Sequence, residues 1–371
     1  MRTARETRQF LVSRRSDGWL TGGFAVALWL VAKLSSLAGQ PISQLARSWY
    51  WPAALVSAAH FGMSYRLAYG HKAAEARTRR VPLIVAPATL AVVLIGIAGV
   101  ALALGERAVH PTTAAFVSLV YLLTTWHYVK QVYGVVRVGA RYRGISLTPR
   151  EASILRYGLY PMWYLGAARI FVKSSGARFG QYQLGLQLLP HWTVNVARAA
   201  AVAGGLGIGW VIYGVSKRHS VRPPALMVAP NVAAFLWLLV PADFATLTLA
   251  LGALHAVQYL ACCSRVELSR VETSRVETAG ATSLLTPTRW FEMLGGAACG
   301  GFLLSNWLPS VLGRVFDRPA LPLMFAALFF VFLNLHHYII DAVVWRSSGD
   351  VVRSIARPAV VVPALAAASA R

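Results

Sequence analysis

The chain has 371 residues, of which 57% are hydrophobic and 13% charged. That is far more apolar than the roughly one-half apolar, one-quarter charged mix of soluble domains, and it argues against a water-soluble fold. The formal net charge is +23, but the Lys and Arg residues are scattered through short segments between apolar runs, which argues against nucleic acid as a partner and for membrane topology signals.

Residues 1–18 read as a basic segment. Apolar runs of about 20 residues, the length that crosses a hydrocarbon core of roughly 30 Å, follow near 19–38, 50–69, 82–104, 112–136, 153–173, 193–215, 225–242, 244–262, 290–308 and 320–345. The first is longer than a signal-peptide core and lacks a small-residue cleavage site, so it reads as a retained helix. The pattern predicts an all-α, polytopic integral membrane protein of about ten transmembrane helices over 19–345, with a tail over 346–371. An even number of crossings puts both termini on one face. The loops of that face carry most of the basic residues: Lys72, Arg77, Arg79 and Arg80; Arg137, Arg141, Arg143 and Arg150; Lys217, Arg218 and Arg222. By the positive-inside rule that face is cytoplasmic, in a bacterial-type inner membrane.

Between the eighth and ninth runs, a tandem pentapeptide, SRVEL-SRVET-SRVET (Ser264 to Thr278), reads as a solvated linker within a cytoplasmic loop over 264–289. Gly204 to Gly209 (GGLGIG) and Gly295 to Gly301 (GGAACGG) suit close approach of helix backbones in lipid. Trp49, Tyr50, Trp51, Trp290 and Trp345 fall at run ends, where amphipathic rings anchor at headgroups. Cys262, Cys263 and Cys299 make neither a disulfide framework nor a CxxC pair. Lys33, Arg66, Lys130, Arg156, Arg169 and Arg198 lie inside runs, and most sit close enough to an end to snorkel. Lys130 is deeper and reads as a partner of Asp341 or of a substrate's polar end.

Histidines carry the functional signal. His60, His127, His255, His336 and His337 lie within predicted spans, where ionisable side chains are costly and face the bundle interior. Each precedes the cytoplasmic end of its run by about 8–10 residues, which at ~1.5 Å per residue is roughly 12–15 Å. Four separate helices thus bring imidazole to one depth, as in bundle-core metal sites, and imidazole suits iron, copper, zinc or nickel. Gln131 follows His127 by four residues, Gln258 and Tyr259 follow His255 by three and four, and Asp341 follows His337 by four. At that spacing they share a helix face and are placed to orient the rings through the second nitrogen. The fourth and tenth runs read alike, WHYVKQVYGVVR beside HHYIIDAVVWR.

Two segments carry a family resemblance. AHFGM (Ala59 to Met63) and HHYIIDAVVWR (His336 to Arg346) resemble the His-Phe-Gly-Met segment and the final helix of the bacterial β-carotene 15,15′-dioxygenase family, the Brp/Blh family. The resemblance implies a polytopic membrane enzyme in which four histidines hold one ferrous iron that splits the central double bond of a carotenoid with dioxygen. It carries over His60, His336 and Asp341, with His60 an iron ligand. This chain has no counterpart of the family's early His-Gly-x-x-Asp segment, and Tyr259 stands where a His-x-x-x-His pair would need its second histidine.

The leading expectation is a non-haem Fe(II) oxygenase acting on an apolar, membrane-dissolved substrate of carotenoid or isoprenoid type. Two alternatives stay open: a haem protein for electron transfer with two axial histidines, and a transporter or proton path that uses the intramembrane histidines.

Overall fold

Within a bilayer the backbone has no water to bond to, so a crossing segment must satisfy its own N–H and C=O groups, and a helix does so. The computed structural model describes residues 10–13, 15–39, 42–70, 79–173, 176–185, 188–239, 244–277, 287–316, 321–346, 351–352 and 355. The expectations for the basic start of the chain, for Lys72 and Arg77, and for most of the C-terminal tail lie outside these residues, as does the side chain of Trp290.

The helices follow the apolar runs: α1 (Ser16–Leu37), α2 (Ile42–Tyr69), α3 (Val81–Leu104), α4 (His110–Tyr142), α5 (Pro149–Tyr157), α6 (Tyr160–Phe171), α7 (Trp192–Arg218), α8 (Ala225–Leu239), α9 (Phe244–Glu277), α10 (Pro287–Phe302), α11 (Leu308–Val315) and α12 (Leu321–Val344). Among the described residues, α1, α3, α7 and α12 are long and apolar enough to cross a membrane by length and composition, and α8 is a shorter apolar helix. A two-stranded antiparallel hairpin, β1 (Arg178–Phe179) and β2 (Tyr182–Gln183), pairs Phe179 with Tyr182. It caps one end of the bundle, where Phe179 stacks on Phe330 of α12 at 4.9 Å.

Two elements depart from the sequence expectation. The run at 153–173 is broken into α5 and α6. Pro161 in the first turn of α6 cannot donate to an earlier carbonyl, and a Cβ at Gly204 of α7 would lie 2.2 Å from the Gly158 carbonyl oxygen, so the chain turns where two backbones touch. The SRVE repeat is the larger correction. It continues α9 as far as Glu277 instead of forming a linker, because the period of five sets Glu three residues before Arg, a favourable helical pair, and no Gly or Pro interrupts it. Its first turn is buried at Ser264, Arg265, Glu267 and Ser269, and Arg66 Nη2 lies 3.5 Å from Glu267 Oε2.

Helix α2 packs between α9 and α10, and α4 packs on α6, α8 and α12. Small residues set the α2–α10 distance: a Cβ at Gly301 would lie 2.3 Å from the Ala58 carbonyl oxygen, and one at Gly62 would lie 2.5 Å from that of Ala297. Trp49 and Trp51 are exposed, whereas Trp345 turns inward edge-on to Tyr259 at 5.5 Å. Leu11 and Ile355, near the two ends of the described chain, pack in one apolar cluster with Tyr142.

Candidate metal centre

His60 on α2, His127 on α4, His255 on α9 and His337 on α12 converge, with one ligand nitrogen from each lying within 4.8 Å of all the others. The Nε2 atoms of His127 and His255 are 3.2 Å apart, as are those of His337 and His127. His60 stands edge-on to His255 and His337, with ring centroids 4.7 and 4.3 Å away. His60, His255 and His337 are buried and His127 is nearly so. The small residues of the α2–α10 seam flank His60 in the chain, and the close approach they permit draws α2 into the bundle.

The two 3.2 Å separations match neighbouring ligands around one ion. A tetrahedral ion with metal–nitrogen bonds of about 2.0–2.1 Å holds its ligand atoms about 3.3 Å apart. Hydrogen bonding among the rings alone does not account for the packing. A ring nitrogen offers one in-plane donor or acceptor, yet His127 Nε2 meets two imidazole nitrogens and, at 3.4 Å, Asp341 Oδ2. His60 Nε2 is buried with no hydrogen-bond partner, although buried polar atoms are normally satisfied; His255 and His337 turn Nε2 into the cluster, and their unpaired Nδ1 atoms lie on the other side of each ring. The residues present therefore fit a metal ion, and the four histidines form a group able to hold one.

The neighbouring polar residues act differently from the sequence expectation. Gln131 does not reach the second nitrogen of His127. Its amide donates to the His255 backbone carbonyl at 2.9 Å and to Gln258 Oε1 at 3.1 Å, while Gln258 donates to the Thr21 carbonyl of α1. This chain of amides ties α4, α9 and α1 together and fixes the rotation of α9 that turns His255 inward. Tyr259 donates from Oη to Asp341 Oδ1 at 2.9 Å, bridging α9 and α12 instead of orienting His255. Asp341 faces the nitrogens that point into the cluster: its Oδ2 lies 3.4 Å from His127 Nε2 and 3.6 Å from His337 Nε2.

Two expected members stand outside. Successive helical residues project about 100° apart, so His336 turns away from His337. It is held between Tyr65 Oη at 3.2 Å from Nδ1 and Tyr69 Oη at 2.8 Å from Nε2, and Tyr69 donates onward to the Leu83 carbonyl. Lys130 does not meet Asp341. Its side chain is exposed and its Nζ lies 5.4 Å from the centre of the Trp126 ring, a cation–π contact.

The aromatic wall was missed. Tyr128 stacks on His255 at 4.5 Å, Tyr338 lies against His127 at 4.9 Å with its hydroxyl bonded to Thr124, and Phe61 stands edge-on to His337 at 5.4 Å. The repeated His-Tyr dipeptide at 127–128 and 337–338 is the signal that points to the two tyrosines. Comparison with family models, with curated proteins and with solved structures finds no match.

Proposed function

We propose that this chain is an integral membrane protein of about ten transmembrane helices with both termini cytoplasmic, and that it is a non-haem iron oxygenase acting on an apolar substrate of carotenoid or isoprenoid type dissolved in the bilayer. The observation that carries this reading is the convergence of four histidines from four helices within 4.8 Å. All-nitrogen ligation by neutral imidazoles suits iron, and dioxygen and polyene lipids both concentrate in the hydrocarbon phase that surrounds such a site. Ferrous iron, when bound, supplies oxygen activation. His60, His127, His255 and His337 hold the ion, Gln131 and Gln258 fix the helices that present two of them, and Tyr128, Tyr338, Phe61 and Tyr259 exclude water. Of the residues carried over from the β-carotene dioxygenase resemblance, His60 belongs to the cluster and Asp341 borders it, while His336 stands outside and its neighbour His337 takes the place within.

A haem is disfavoured by the same packing. A porphyrin must lie between its two axial imidazoles, and five of the six pairs among these rings stand edge-on, with centroids 4.3–6.3 Å apart. The test is oxygen uptake by detergent-purified protein loaded anaerobically with Fe(II) and given β-carotene as a polyene probe. The reading predicts uptake with loss of the polyene's visible absorption, abolished in His60→Ala and His255→Ala, and no Soret band. Iron-loaded protein that consumes no oxygen with any polyene or isoprenoid lipid overturns the oxygenase assignment.

A further inference from the structure

We infer that Asp341 is itself a ligand of the metal ion, so that the centre is a shell of four imidazoles and one carboxylate. The inference rests on the metal-binding part of the reading above and goes beyond the histidine set. Its Oδ2 approaches His127 Nε2 at 3.4 Å and His337 Nε2 at 3.6 Å. Charge-assisted hydrogen bonds between nitrogen and carboxylate run about 2.7–2.9 Å, so these contacts are too long for a carboxylate that merely accepts N–H bonds. The contact to His127 falls at the upper end of the distance between neighbouring atoms on one coordination sphere, about 3.0–3.4 Å for bonds near 2.1 Å, and the contact to His337, at 3.6 Å, lies just beyond it. The other oxygen is engaged: Tyr259 donates to Oδ1 at 2.9 Å, which fixes the carboxylate plane and leaves Oδ2 directed at the two nitrogens.

Charge points the same way. Four neutral imidazoles leave a divalent ion with its full charge in a buried site, where uncompensated charge is expensive, and one carboxylate halves it. Asp341 is 8% exposed, and no Lys or Arg is among the partners identified for it; Lys130, the deepest candidate in the sequence, faces outward over Trp126. A cation held by the histidines is the counter-charge that the geometry offers. Five protein ligands exceed the four of a closed tetrahedral zinc site. They suit an ion that accepts a higher coordination number, and they leave a six-coordinate ion one exchangeable position where four histidines alone would leave two.

The test uses the full-length protein in detergent, stripped of metal and titrated with Co(II), whose ligand-field absorption reports coordination number. The inference predicts one Co(II) per wild-type chain, and in Asp341→Asn an affinity lower by at least 10–100-fold with a changed visible band. Tyr259→Phe, which keeps the carboxylate but frees Oδ1, retains one Co(II) with a shifted band, and this readout stands if the Asn variant fails to fold. Asp341→Asn protein that binds Co(II) with wild-type affinity and spectrum overturns the inference and leaves the histidine centre intact. Wild-type protein that takes up no Co(II) removes both.

Discussion

His127 and His337 are separated by 210 residues of chain and yet bring their Nε2 atoms to 3.2 Å. The pair joins α4 to α12, and His60 and His255 close on it from α2 and α9. Side chains that are costly in lipid are thus gathered at one point, in a group able to hold a single ion.

The neighbours His336 and His337 separate ligation from packing. His337→Gln is expected to lower bound metal at least tenfold. His336→Gln should leave metal content unchanged while lowering stability by about 0.5–1.5 kcal/mol, the range for losing a hydrogen bond, because Tyr65 and Tyr69 both bond to that ring. Metal analysis and thermal melts on the two variants, purified in parallel, give the comparison. Equal metal loss in both would show that His336 belongs to the centre.

Adjacent glycines of α10 provide a packing test. A Cβ at Gly301 would sit 2.3 Å from the Ala58 carbonyl oxygen, while one at Gly300 meets nothing within 4 Å. Gly301→Ala should push α10 from α2 and destabilise by about 1–3 kcal/mol, whereas Gly300→Ala should melt at or slightly above the wild-type temperature. Indistinguishable melting temperatures would contradict the close α2–α10 contact.

Between the end of α7 and the first turn of α5, Arg218 donates to Glu151 Oε1 at 2.6 Å and to Oε2 at 3.0 Å. Together with the backbone and hydroxyl of Thr148, it holds the Glu151 carboxyl down at about 2, from an ordinary value of 4.5. A carboxylate depressed in the folded state stabilises the fold above its unfolded pKa, and that contribution fades as pH falls through the folded value. The stability gap between wild type and Arg218→Gln should therefore be constant from pH 7 to about 4.5 and shrink from there toward pH 2. The pair is exposed, so the gap is small and falls with added salt. Melts across this range check it, and a gap that widens on acidification would contradict the sign.

Most helix positions were legible because long apolar runs fold as helices, and counting residues to the run ends anticipated the meeting of His60, His127, His255 and His337. Helix rotation was not legible. Nothing in HHYIID says which of His336 and His337 turns inward, since α12 is apolar on most sides and its neighbours decide. Contacts between helices were hidden for the same reason: the Tyr259–Asp341 bond and the Gln131–Gln258–Thr21 chain depend on which helices are adjacent. The SRVE repeat departs from the linker expectation because alternating charge suits a solvated segment and a helix alike, and its Glu-to-Arg spacing favours the helix.

The central claim is that these four imidazoles hold a metal ion, and elemental analysis of detergent-purified wild-type protein beside His127→Ala tests it most directly. The account predicts close to one transition-metal ion per wild-type chain and less than a tenth of that in the variant. A folded wild-type protein that carries no metal and cannot be loaded with Fe(II) or Co(II) would contradict it.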